Sequence, residues 1–324
     1  MAGPLTLEND HMSVRVHPRG AALIGVRFRG RDENLVLGFR DPEDHHRIPA
    51  CAGHIVGPIA NRLAGGEIEI DGRSYQMPRN ENGMTTLHSG PDGLHTREWE
   101  VVAHRGDVLE LSCTLPDGAC GLPGVRVITA RYALEGSALV LALRATTDAP
   151  TAMNLAAHPY WTLDGLGRVD SHRLHLNTAQ YLPTDAANLP TGQIAPVAGT
   201  VFDFTVPRAV PHDPALDVNY CLPQDGALRT AAQLTSATGI TLTLQTTAPG
   251  LQVYNGSNLP RMADVLDRPG ALRPFGAIAL EPQHWPDAPH HTGFPSIALH
   301  PGAVYQQTTR YALHHAPTGR QDIT

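Results

Sequence analysis

Gly66-Glu-Ile-Glu-Ile70, Asp71-Gly72 and Arg73-Ser-Tyr-Gln-Met77 form the stretch that decides the fold class. Apolar side chains recur with a period of two on either side of an Asp-Gly pair. That dipeptide supplies the two left-handed residues of a type I′ turn, so the stretch predicts a β-hairpin. The same texture recurs outward from it. Short alternating or β-branched segments, closed by turn residues, predict strands at 23–28, 108–115, 125–134, 138–146, 240–247, 251–254, 277–281 and 305–313. Glycine (31) and proline (28) are spread throughout, and the longest run free of both, residues 168–182, is fifteen residues. Long helices need longer uninterrupted windows, which argues against an all-α or doubly wound fold. The expectation is an all-β chain built as a large antiparallel β-sandwich. With no internal repeat, low-complexity tract or linker-like composition shift, residues 1–324 are expected to form a single domain.

Composition removes several functions. The 24 Lys+Arg residues are all arginine. Without lysine there is no Schiff-base chemistry, no pyridoxal-phosphate anchor and no Walker-type phosphate loop. A net charge of −7 with no basic run also argues against a nucleic-acid partner. With 41% hydrophobic and 17% charged residues the chain can bury a core and is not disordered. The opening MAGPLTLENDHM lacks a charged segment followed by an apolar one, and no apolar run approaches a membrane span, so a cytoplasmic location is expected. Cys51, Cys113, Cys120 and Cys221 form no C-x-x-C pair. Cys113 and Cys120 could bridge a loop, but free buried thiols are the expectation.

Four clusters concentrate ionisable residues beside turns. In Gly57-Pro-Ile-Ala-Asn-Arg-Leu-Ala-Gly-Gly66, Asn61 and Arg62 sit between apolar residues. The planar fork of Arg62 could hold a ligand hydroxyl or carboxylate, or simply tie down a loop. In Thr86-Leu-His-Ser-Gly-Pro91, His88 enters a Gly/Pro turn. In Asn154-Leu-Ala-Ala-His-Pro-Tyr-Trp161, Pro159 pushes His158 into an extended conformation, as at a strand exit. The aromatic residues after it could pack against the C–H faces of a sugar. In Phe275-Gly-Ala-Ile-Ala-Leu-Glu-Pro-Gln-His-Trp-Pro-Asp-Ala-Pro289, an apolar strand ends in Glu281. Burial there would raise a carboxyl pKa toward that of a general base, whereas a solvated strand end would not. Asp217 is weaker alone, since loop aspartates usually cap or solvate. The pairs His45-His46, His290-His291 and His314-His315 should diverge in an extended chain. No H-x-x-x-H or H-E-x-x-H spacing brings them to one ion, so no metal is expected. There is no G-x-S-x-G nucleophile elbow either.

At these clusters the sequence resembles the aldose 1-epimerase (galactose mutarotase) family. Asn61–Gly66 resembles its N-R-[IL]-[AG]-x-G stretch, and Leu87-His-Ser-Gly90 its L-H-G-G segment. Asn154 to Leu163 is similar to its N-x-x-x-H-x-Y-[FW]-x-L block, and Glu281 to Pro289 to its E-x-Q-x-[FW]-P-D-[AS]-P block. Phe202-Asp-Phe204, Asp217-Val-Asn219 and the Phe294-Pro-Ser-Ile-Ala-Leu strand closing at Pro301-Gly also fit. The resemblance implies a galactose mutarotase-like supersandwich with an open cleft and no cofactor. It implies His158 as general acid and Glu281 as general base, on opposite sides of a monosaccharide. His88 and Arg62 would line the ring-oxygen side, Asp217 would hold a sugar hydroxyl, and Asn61 is a further binding position. The implied reaction is anomer interconversion of a free aldose, in a monomer or homodimer without membrane association. Val218, Pro159 and Tyr254-Asn-Gly256 depart from the family pattern and leave the sugar open. A hexose-6-phosphate epimerase and a non-catalytic carbohydrate-binding protein of the same fold are the alternatives. A glycoside hydrolase would call for two carboxylates rather than His plus Glu.

Overall fold

The computed structural model describes residues 3–165 and 167–315. Two large antiparallel sheets dominate it. One has nine strands, ordered Arg208–Ala209, His172–Leu176, Arg229–Ser236, Ile240–Thr246, Tyr305–His315, Ala138–Thr147, Arg126–Glu135, Val108–Leu115 and Glu100–Arg105. The other has six, ordered Tyr160–Trp161, Ile278–Gln283, Gly250–Tyr254, Asp217–Cys221, Gln180–Tyr181 and Ala195–Pro196. Helix among the described residues is one turn at Asp44–Arg47 and four short 3-10 turns. None is long and apolar enough to cross a membrane.

The pleat sends successive side chains to opposite faces, and the sequence follows it. Val108–Leu115 buries Leu109, Leu111, Cys113 and Leu115, and Ile240–Thr246 buries Ile240, Leu242 and Leu244. These side chains meet Val218, Tyr220, Leu251, Val253, Ile278 and Leu280 of the six-stranded sheet in one apolar cluster. Trp161 lies fully buried there, its ring 5.2 Å from that of Tyr311. Each such large side chain contributes about 1.5–3 kcal/mol relative to exposure. All four thiols are free, with Cys113, Cys120 and Cys221 buried.

The hairpin forms where expected. Glu67 pairs with Gln76 and Ile70 with Arg73. Asp71 and Gly72 between them take φ values of 50° and 74°, as a type I′ turn requires. One expected boundary shifts. The strand does not end at Glu281 but runs from Ile278 to Gln283, buried throughout, with Glu281 in its interior. Pro282 is accommodated because the neighbouring Tyr160–Trp161 pairing stops at Ala279, leaving that edge of the strand open.

The six-stranded sheet has two unlike faces. Val218, Val253, Leu280 and Trp161 point into the core, whereas the alternate positions Asp217, Asn219, Gln252, Tyr254 and Glu281 share the other face. Registers Asp217↔Tyr254, Asn219↔Gln252 and Gln252↔Glu281 line these polar residues up across neighbouring strands. That polar face is the floor of the site.

Candidate active site

Register brings the two central residues together. Tyr160 pairs with Ala279 and Trp161 with Ile278. Continuing that antiparallel register past Pro159 places His158 opposite Glu281, and His158 Nε2 lies 3.5 Å from Glu281 Oε1. Both are almost fully enclosed, at 6% and 2% exposure. His158 Nδ1 and Glu281 Oε2 have no hydrogen-bond partner among the described residues. The solvated strand-end alternative for Glu281 is thereby excluded, and the pair shares one wall instead of facing across a ligand.

Burial decides how the pair holds a proton. It pushes the Glu281 carboxyl well above the usual range; Asp217 adds to this and the Arg62 guanidinium opposes it. It pushes His158 down to about 4. Both shifts favour a neutral carboxylic acid beside a neutral imidazole, one proton held between two groups.

Asn61 and His88 are a second cross-strand pair. Arg62 pairs with Leu87, so one step further Asn61 faces His88. The Asn61 N–H donates to His88 Nδ1 over 3.1 Å, and the His88 N–H donates to the Asn61 carbonyl over 3.0 Å. Nδ1 is therefore an acceptor, and burial keeps the ring neutral. The ring proton sits on Nε2 as a fixed donor. Both residues adopt left-handed backbone conformations, with φ of 62° and 52°, the kind of local strain that gathers at functional sites.

Arg62 ties down a loop and lines the cleft at once. Its guanidinium grips Glu81 through Nε (2.9 Å) and Nη2 (2.9 Å), tying down that loop, and donates through Nη1 to Asp217 Oδ2 at 3.1 Å. Asp217 Oδ1 accepts from Gln252 Nε2 at 2.6 Å. Asp217 is the first residue of a strand, not a loop residue. Burial raises Glu81, but Arg62 and the Thr85 hydroxyl together outweigh it and hold that carboxyl below its ordinary value. The resulting cleft, about 220 Å³, is lined by Asn61, Arg62, Glu81, His88, Asp217 and Glu281, with Tyr160 and Tyr254 beside them. His158 backs it, its ring 4.9 Å from Tyr160 and 5.5 Å from His88. The structure thus gathers all six sequence-derived residues into one place. Trp161 points away into the core, so of the two aromatic residues after His158 it is Tyr160 that lines the cleft. Glu81 and Gln252 carried no sequence signal of a role here, the first in a polar loop and the second dependent on register, whereas Tyr254 was marked only as part of a departure from the family pattern.

The family model for aldose 1-epimerase matches residues 4–312. The chain belongs to the aldose 1-epimerase family. The galactose mutarotase of Sus scrofa is 33% identical over 321 residues, spanning 95% of this chain and 92% of that protein. The aldose 1-epimerase of Escherichia coli (strain K12) is 31% identical over 327 residues, spanning 95% and 94%. Among solved structures, the GalM/aldose epimerase homologue from C. elegans superposes with a TM-score of 0.91 at 28% identity, covering 98% of this chain and 100% of that one. Galactose 1-epimerase from Lactobacillus acidophilus gives 0.84 at 28% identity, covering 96% and 94%. As a member of the aldose 1-epimerase family, the protein is an isomerase acting on carbohydrates.

Proposed function

We propose that this aldose 1-epimerase interconverts the α and β anomers of a free aldose, with His158 and Glu281 as the proton-transfer pair. The observation that carries this reading is their 3.5 Å separation in a buried wall of the cleft. The C1 hydroxyl and ring oxygen of a hemiacetal sit on one carbon, closer together than that. Each can therefore lie within hydrogen-bond reach of one member of the pair. In the productive complex Glu281 is a carboxylate and His158 an imidazolium. Glu281 takes the C1 hydroxyl proton while His158 gives its proton to the ring oxygen, and the C1–ring-oxygen bond breaks. The pair is then neutral, the state that burial favours, so the fold supports the open-chain stage. Rotation about C1–C2 and the reverse transfers close the other anomer. Each positioned group contributes typically 10²–10⁴-fold.

His88 Nε2–H serves as donor toward the ring oxygen, Asp217 accepts from a sugar hydroxyl, and Arg62 offers its remaining donors while holding Asp217 in place. Asn61 sets the His88 tautomer. The apolar cluster shared by the two large sheets supports reading the chain as one domain. NMR anomer exchange across free aldoses and their 6-phosphates tests the reading. Acceleration for at least one free aldose is expected, and no acceleration for any would overturn it.

A further inference from the structure

Behind the sugar cleft lies a second cavity of about 360 Å³, which shares Pro49, Cys51, Leu87 and His88 with it. Its lining contrasts with the cleft. Where the cleft presents Glu81, Asp217 and Glu281, this cavity has two arginines and five histidines and no carboxylate among its described lining residues. In a chain of net charge −7 that is a local reversal of sign.

Hydrogen bonding fixes the tautomers here. The Arg19 N–H donates to His17 Nδ1 at 3.1 Å, so that nitrogen is an acceptor. His46 Nε2, 3.3 Å away, must then carry the proton it shares with His17, leaving His46 Nδ1 to accept from His54 Nε2 at 2.9 Å. The chain ends on His54 Nδ1, on a ring 2% exposed; it has no hydrogen-bond partner among the described residues, and the nearby Cys51 backbone favours its protonated form. His95 Nδ1 is likewise buried and unpartnered. Arg47 is neutralised by Asp41 (2.6 Å) and Asp44 (3.2 Å), whereas Arg19 has no ion-pair partner among the described residues. The expected divergence of His45 and His46 holds, but on a helical turn. His45 turns inward to the Ala52 carbonyl and His46 joins His17 and His54. Among the described residues no group of three or more is placed to hold a metal.

We propose that this cavity is a phosphate-binding subsite, with Arg19 as its fixed cation and His54 and His95 as rings that take up a proton when the anion enters. A guanidinium and imidazolium donors are the groups that recognise a phosphoryl oxygen. The rings are neutral without a ligand, since burial comes first and then neighbouring positive charge: His95 is held down to about 4, His46 to about 3 and His54 well below its ordinary value. The titratable and charged groups facing them are Arg19, Arg47, His17, His45 and one another, with Glu43, 3.5 Å from His17, and Glu98 opposing. A dianion adds the missing negative charge and reverses that balance. A neutral hydroxyl ligand would instead bind with no proton uptake.

Calorimetric titration of the intact protein with inorganic phosphate, in two buffers of different ionisation enthalpy, tests this without reference to turnover. Binding accompanied by proton uptake is expected, with R19Q and, separately, H95Q each weakening it about tenfold or more while anomer exchange on a free aldose is unchanged. No binding, binding without proton uptake, or binding indifferent to both variants would overturn the site. Kinetics on an aldose and its 6-phosphate separate the two sources of the group. A KM lowered for the phosphorylated sugar and raised by R19Q only for it assigns the phosphate to the substrate. Calorimetric binding of inorganic phosphate with no such preference assigns it to a separate ion. Both results uphold the subsite, and failure of the epimerase reading would leave the calorimetric result standing.

Discussion

His158 Nε2 and Glu281 Oε1 stand 3.5 Å apart as cross-strand neighbours, positioned by the pairing of Tyr160 with Ala279 two residues away. Backbone hydrogen bonds, not side-chain contacts, therefore place the pair. Among the described residues neither group has another hydrogen-bond partner to hold it in a single protonation state, so one proton is free to move between carboxyl and imidazole as substrate demands.

The first prediction concerns pH. With Glu281 raised well above its ordinary value and His158 lowered to about 4, the one-proton state spans the interval between them. The rate should fall toward pH 4 as a second proton binds, and fall on the alkaline side as the shared proton leaves. These limbs belong to the pair as a unit. Anomer exchange measured from pH 4 to 9 checks it. An acid limb centred near pH 6.5 would mean that His158 titrates as a solvated ring.

The second concerns Arg62. Its fork is filled by Glu81 and Asp217, so E81Q should loosen Arg62 and Asp217 together. Steady-state kinetics should show KM raised several-fold with a smaller change in kcat, and R62A should show a larger loss of the same kind. Truncating one partner of a half-buried charged pair strands the other, typically a 1–3 kcal/mol effect. An E81Q enzyme with wild-type KM would show that Asp217 is held by Gln252 alone.

The third is acid instability. His45, His158 and His284 are each pushed down to about 4 from an ordinary 6.5, chiefly by burial, and burial holds His54 and His88 well below it too. As pH falls through 6.5 the unfolded chain takes up protons that the folded chain refuses. Each ring should cost stability between pH 6.5 and 4, by roughly 1 kcal/mol per pH unit, while Glu281, raised well above its ordinary value, opposes that loss by holding its proton in the folded state. Glu81, held low by Arg62, adds to the loss as pH falls further. Urea unfolding at several pH values checks this, and H158N should show a shallower dependence. A stability that rose toward pH 4 would contradict it.

Much of this was readable from residue pattern. Strands such as Val108–Leu115 and Ala138–Thr147 announce themselves because alternate apolar residues fill one core. Others do not. Glu100–Arg105 is exposed on both faces as a sheet edge, and His172–Leu176 carries histidine and arginine on its outer side. Neither has a hydrophobic period strong enough to read. The six site residues could be named from their motifs, but not their arrangement. That His158 meets Glu281, and Asn61 meets His88, depends on strand register, a long-range property that local sequence does not encode. The histidine cavity escaped for the same reason. His17, His46 and His54 lie on separate elements, and their convergence exists only after folding.

The central claim rests on Glu281 exchanging a proton with the sugar, and anomer exchange by NMR on the best free aldose, comparing wild type with E281Q, tests it most directly. Glutamine keeps the shape and the strand register but cannot take up the C1 hydroxyl proton. Turnover should drop by about 10²–10⁴-fold, with an unchanged far-UV circular dichroism spectrum. An E281Q protein that folds and turns over at near the wild-type rate would contradict the account.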